Sequence, residues 1–310
     1  MRCNLPEDVK LSLFNIREDG WSTYLRLCLR YNIDPLEFEE VTHVSQLFKR
    51  DILYLRANIE NVCNFTPFIK LTLGNISSLN IEASKSLNGF SLEGLCQVYF
   101  PNLEFLTLHS NHASLDELEF INSPNLKDIR LTGSFDSIPS MNMPKLKYLN
   151  INNNLSTDIG FLKNSTIKNL EYLSITNPTI NESPIRDFDD SRLSSMENLK
   201  HLHLTYTCSF PLASIPRITG KIPAQIEYLD LYSLILDSDR EITLPYLSGL
   251  SLFIESFEIF KKLNLPKIKF IHLQGRKKLD SLWVQQTIRS LLRNKDVLVA
   301  YLPAKGYNGI

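Results

Sequence analysis

The chain has 310 residues, 43% of them hydrophobic, and its 33 basic and 34 acidic side chains leave a formal net charge of -1. Such a balance offers no global attraction to nucleic-acid phosphates or to anionic membrane surfaces, so neither is expected as a partner. Cys3, Cys28, Cys63, Cys96 and Cys208 are widely spaced, odd in number and free of any Cys-x-x-Cys pair. That argues against a zinc site and a disulfide framework, and for a reducing compartment, cytoplasmic or nuclear. Residues 1–9 lack the apolar run of a secretory leader, and no uncharged stretch is long enough to span a bilayer.

Residues 1–60 read as a helical region. Within 21–50, Ile33-Asp34-Pro35 separates two helical segments, and Val44-Ser45-x-x-Phe48-Lys49-Arg50 closes the second. This combination resembles an F-box. The resemblance implies docking on the Skp-type adaptor of a cullin ubiquitin ligase, with Leu25, Leu29, Ile33, Pro35, Leu36, Val44 and Phe48 supplying or supporting the apolar contact. A second reading stays open beside it, because any solenoid needs its terminal repeat covered and apolar helices do this as a plain cap.

Residues 61–281 carry nine copies of one apolar triplet, Leu/Ile-x-x-Leu/Ile-x-Leu/Ile, from Ile76/Leu79/Ile81 to Ile268/Ile271/Leu273, with starts 20 to 29 residues apart. Alternating stretches such as Tyr148-Leu149-Asn150-Ile151-Asn152 send apolar side chains to one face and their neighbours to the other, the pattern of a half-buried strand. One such strand cannot bury its apolar face alone, so successive repeats must stack side by side. The pattern resembles leucine-rich repeats of an irregular type. The expected fold is α/β: a leucine-rich-repeat solenoid with a curved parallel sheet of about nine repeats, a helical N-terminal region and a C-terminal capping helix. Pro101, Pro124, Pro144, Pro245 and Pro266 stand two residues before a triplet and mark where strands begin. Asn111 and Asn154 fall where the family commonly carries an asparagine that bonds the turning backbone, and Ser110, Gly133, Asn153 and Asn177 near the same turns are expected to share that task in an irregular way.

The outward residues of the strands can be read as columns. The first runs Ser78, Phe105, Asp128, Tyr148, Tyr172, His201, Tyr228, Gly249, Phe270. With strands ~4.8 Å apart, Tyr148, Tyr172, His201 and Tyr228 are expected to form one stripe on the concave sheet. The second column, which includes Arg130, His203, Asp230, Ser251 and His272, is mostly small and polar. The third turns aromatic toward its C-terminal end, at Tyr232 and Phe253. Aromatic residues anchor protein interfaces. Phe105, Tyr148, Tyr172, His201, His203, Tyr228, Tyr232, Phe253 and Phe270 are therefore the candidate protein-binding residues.

Residues 282–310 form the C-terminal cap: a helix over 282–294 with Trp283, Val284, Ile288, Leu291 and Leu292 on one stripe, then a last strand over 297–302. His201, His203 and Asp230 lack evident third and fourth partners for a metal. No phosphate loop, nucleophile elbow or His-Glu-x-x-His motif is present, so neither metal, cofactor nor catalysis is expected. The expected function is protein–protein interaction on the concave face, as substrate receptor of a cullin-type ubiquitin ligase or as a free-standing scaffold without that link.

Overall fold

The structure is a computed structural model. It describes residues 11–14, 54–59, 77–83, 97–113, 115–121, 123–155, 157–180, 183–184, 193–206, 217–219, 221–232, 234–275, 279–294 and 296–303. The F-box-like segment 21–50 lies outside the described residues; those described within 1–60 are two strands. The chain divides into two compact units, one from 1–157 with 164–167, the other from 158–163 with 168–310.

In the first unit β1 (Leu11–Phe14), β2 (Tyr54–Ile59), β3 (Ser78–Ala83), β4 (Phe105–Ala113), β5 (Asp128–Phe135) and β6 (Tyr148–Asn153) pair in chain order, all parallel. In the second, β7 (Tyr172–Thr176), β8 (His201–Thr205), β9 (Tyr228–Tyr232), β10 (Gly249–Ile254), β11 (Phe270–Gly275) and β12 (Leu298–Pro303) do the same. Each unit is thus a parallel β-solenoid of stacked turns. The return segments carry short 3-10 turns, Asp116–Phe120, Leu193–Ser195 and Glu258–Lys262, and two-residue strands such as Ile242–Thr243 beside Leu263–Asn264.

Triplet residues make the core. Every triplet residue whose side chain is described is at most 4% exposed, from Leu79 to Leu273. Two recurring hydrogen bonds then fix how each turn enters the sheet. The N–H of the first triplet residue closes a tight turn, as Leu126 does on Ser123 O at 3.4 Å, Leu146 on Met143 O at 3.0 Å and Ile268 on Leu265 O at 3.3 Å. Pro124, Pro144 and Pro266 occupy the second position of those turns, where a fixed φ is favoured. The prolines therefore shape the turn before the strand, and the strand itself begins at the third triplet position. There, one carbonyl of the preceding turn accepts two successive N–H groups: Glu104 O takes Lys127 and Asp128, Glu171 O takes Lys200 and His201, and Glu227 O takes Ser248 and Gly249.

In the turn after β6 the asparagine that satisfies the backbone is Asn153, one residue before the family's position at Asn154. Its buried amide accepts from Phe135 N–H at 3.0 Å and Leu155 N–H at 3.1 Å and donates to Phe135 O at 2.9 Å. Asn154 instead donates N–H to Gly133 O and reaches Ser134 Oγ at 3.4 Å. A buried amide needs several partners at once, and only the inward-pointing residue 153 can meet both strand ends.

At the C-terminal side α1 (Ser281–Leu291) starts at Asp280, whose carboxylate accepts from Trp283 N–H at 2.7 Å, and it buries Val284 and Ile288. Trp283 is half exposed rather than part of the buried stripe, its ring set edge-on to Phe257 at 5.4 Å. Two residues one turn apart are enough to seat an 11-residue helix on one side; residue 283 is carried away from that side by the 3.6-residue period. Among the described residues no helix is long and apolar enough to cross a membrane.

Leu149 is fully buried and its outward neighbour Asn150 is not. Leu149→Ala is expected to lower unfolding free energy by about 2–5 kcal/mol, and Asn150→Ala by no more than about 0.5 kcal/mol, in denaturant titrations followed by circular dichroism.

Candidate functional site

Because the second unit's ladder is in register, residues of the first outward column sit over one another, turn upon turn. Tyr172 pairs with His201, His201 with Tyr228, Tyr228 with Gly249 and Gly249 with Phe270. The rings touch along this line. Tyr172 and His201 have centroids 6.0 Å apart, tilted by 33°; His201 and Tyr228 stack at 4.6 Å and 16°; Tyr228 and Phe270 meet at 6.0 Å and 35°.

Gly249 makes the last contact. Tyr228 and Phe270 are two strands apart and lean across the residue between them. A Cβ placed on Gly249 would lie 2.2 Å from Phe270 Cζ and 2.7 Å from Tyr228 Cδ1. The missing side chain is what lets four rings form an uninterrupted line. Tyr228 and Phe270 remain exposed, so the line offers ring edges to solvent while its faces are spent on each other.

The second column lies beside it and is polar. His203 Nδ1 is 2.8 Å from Asp230 Oδ2, and Thr205 Oγ1 is 2.5 Å from His203 Nε2. With a neutral ring and Nδ1–H donating to the carboxylate, Nε2 is the acceptor for the threonine hydroxyl. Further along, Ser251 Oγ and His272 Nδ1 are 3.5 Å apart. Asp230 Oδ1 and His272 Nε2 are buried and have no hydrogen-bond partner among the described residues.

Thr205, His203 and Asp230 follow the order of a nucleophile, base and orienting acid. The backbone N–H groups around them belong to the ladders of β8 and β9 on both sides. Among the described residues no N–H there is aimed at a developing oxyanion, which such chemistry needs. Among the described residues no group of three or more His, Cys, Asp or Glu is placed to hold a metal ion.

Two expected members stand apart. Phe253 is 3% exposed and leaves the outward face. Its strand partner β9 ends at Tyr232, Phe253 N–H donates to Leu234 O at 3.3 Å, and the residue lines a cleft of about 230 Å³ together with Arg217, Ile235 and Glu255. Gln274, the next residue of that column, is also buried. The third column therefore presents Tyr232 as its exposed ring. Phe105 and Tyr148 belong to the first unit, where Asp128 separates them in the column. Phe105 is exposed; Tyr148 is covered on one face by the Arg130 guanidinium, 5.0 Å from the ring centroid. The adaptor residues Leu25, Leu29, Ile33, Pro35, Leu36, Val44 and Phe48 are outside the described residues.

Burial between tyrosines lowers the His201 pKa below the ordinary histidine value, with Lys200 adding to the effect and Glu227 and Glu171 opposing it. The folded protein then takes up this proton less readily than the unfolded chain. Its contribution to stability is full above about pH 6.5 and is lost as pH falls through the lower folded value. Denaturant unfolding between pH 5 and 8 is expected to show a loss of stability on acidification that is smaller in His201→Phe. Comparison with known protein families, with curated proteins and with solved structures finds no match.

Proposed function

We propose that this chain is an irregular leucine-rich-repeat protein that binds another protein along the outward face of its second unit, with Tyr172, His201, Tyr228 and Phe270 as the central line and Tyr232 beside it. The observation that carries this reading is the uninterrupted ring line itself, formed only because Gly249 leaves room for it. Cross-strand aromatic pairs also steady a sheet, at about 0.2–1 kcal/mol each. Steadying the sheet requires no solvent exposure, however, and Tyr228, Phe270 and Tyr232 are all exposed. Tyrosine and phenylalanine held rigidly on strands lose little entropy on binding, which suits them to anchor a partner.

In the fuller form of the proposal, the F-box-like segment 21–50 holds a Skp-type adaptor through Leu25, Leu29, Ile33, Pro35, Leu36, Val44 and Phe48, and the solenoid selects the protein to be ubiquitinated. The resemblance of Ile33-Asp34-Pro35 and Val44-Ser45-x-x-Phe48-Lys49-Arg50 to an F-box supports it.

Tyr172→Ala with Tyr228→Ala is expected to weaken capture of the partner by about 30-fold or more while the chain stays folded by circular dichroism; undiminished capture by the folded variant contradicts the binding face. The purified intact chain is expected to co-elute with a Skp-type adaptor, and Leu36→Asp with Phe48→Asp to abolish this without touching capture on the solenoid. If wild type never co-elutes with such an adaptor, the chain is a free-standing scaffold.

A further inference from the structure

The outward positions of β7 to β12 hold a single charged side chain. From Tyr172 to Leu302 they read Tyr, Ser, Thr; His, His, Thr; Tyr, Asp, Tyr; Gly, Ser, Phe; Phe, His, Gln; Leu, Ala, Leu, and the one charge is Asp230. It stands between Tyr228 and Tyr232 on its own strand, both exposed, and its side chain is itself 38% exposed. The carboxylate has one donor, His203, on Oδ2, and its other oxygen, Oδ1, is buried and has none among the described residues. A carboxylate usually gathers two or more donors, so this one is under-compensated where aromatic surface surrounds it.

The first unit contains the same pair of groups with the counter-charge supplied. There Asp128 receives both arms of Arg130, Nε to Oδ1 at 3.2 Å and Nη2 to Oδ2 at 2.9 Å, while the same guanidinium lies 5.0 Å from the centroid of Tyr148. On this kind of sheet face, a carboxylate beside tyrosine is thus completed by a planar cation that pairs with the acid and lies against the ring. In the second unit the acid and the tyrosines are present, and no residue of β7 to β12 supplies the cation.

We infer that Asp230, with Tyr228 and Tyr232, receives an arginine side chain of the bound protein. This rests on the proposed binding face and adds its chemical selectivity. The guanidinium approaches the carboxylate from its Oδ2 side, Oδ1 being closed to solvent, and offsets the charge that His203 alone leaves under-compensated; the carboxylate is held by the chain of hydrogen bonds from Thr205 through His203, and the guanidinium plane packs along the two tyrosines. Arginine suits the site better than lysine because one planar group can meet the acid and a ring together.

The test is a titration of the intact chain labelled on histidine, with N-acetyl-arginine amide and its neutral isostere N-acetyl-citrulline amide as probes and the His203 and His272 ring resonances as readout. Arginine amide is expected to shift His203 saturably, citrulline amide to leave it in place, and Asp230→Asn to weaken the arginine response by about tenfold. Equal shifts from both probes, no response to either, or an unchanged response in Asp230→Asn would overturn the inference. Wild-type protein alone supplies the first two outcomes, so the test does not depend on the variant folding. If it fails while the Tyr172/Tyr228 double variant still loses its partner, the binding face stands and only its preference for arginine falls.

Discussion

In each unit, one carbonyl oxygen per turn holds the register on which the rest depends. By accepting two successive N–H groups from the next turn, Glu104 O, Lys127 O, Glu171 O, Lys200 O, Glu227 O and Ser248 O fix where each strand enters. A slip of one residue would move every triplet side chain to the solvent face and every outward one into the core. The cost of such a slip is several buried leucines per turn at about 1.5–3 kcal/mol each, far more than one ladder hydrogen bond. Core burial therefore sets the register, and the shared carbonyls hold it at the strand entry. The ring line, the His203–Asp230 pair and the open space over Gly249 all inherit their geometry from it.

That inheritance explains why much of the architecture is legible in the residues. A period of two within each strand and a period of 20 to 29 between strands determine which residues face in, and the triplet residues whose side chains are described are all buried. Columns follow from register, so the order of the rings Tyr172, His201, Tyr228 and Phe270 follows from the spacing of the triplets alone. What spacing does not reveal is the contact across Gly249. Periodicity shows a gap in the column there, whereas closing it depends on two rings leaning toward each other through space that a Cβ would fill.

The departures occur where a strand ends and the alternation stops governing direction. Phe253 keeps the parity of an outward residue, but the strand beside it ends at Tyr232, and the large apolar residue is buried at the edge of a cleft. Asn153 takes the part expected of Asn154 for the converse reason: the strand persists one residue further, and an amide inside can satisfy three backbone groups. Trp283 shows that a helical stripe read with five members needed only Val284 and Ile288 for seating. Polar partnership was the least legible layer. Nothing in the spacing of His203, Thr205 and Asp230 reveals that one carboxylate oxygen would be left without a donor.

Register alone stacks a histidine between two tyrosines on an open sheet face. Ring currents report this directly. In a proton spectrum of the histidine-labelled intact chain, the His201 ring protons are predicted to lie well upfield of those of an exposed histidine, since Tyr228 stacks at 4.6 Å on one side and Tyr172 lies at 6.0 Å on the other. Tyr228→Leu should bring them back toward the exposed position. His201 protons at ordinary exposed-histidine shifts in the folded wild type would contradict the register, and with it the surface built on it.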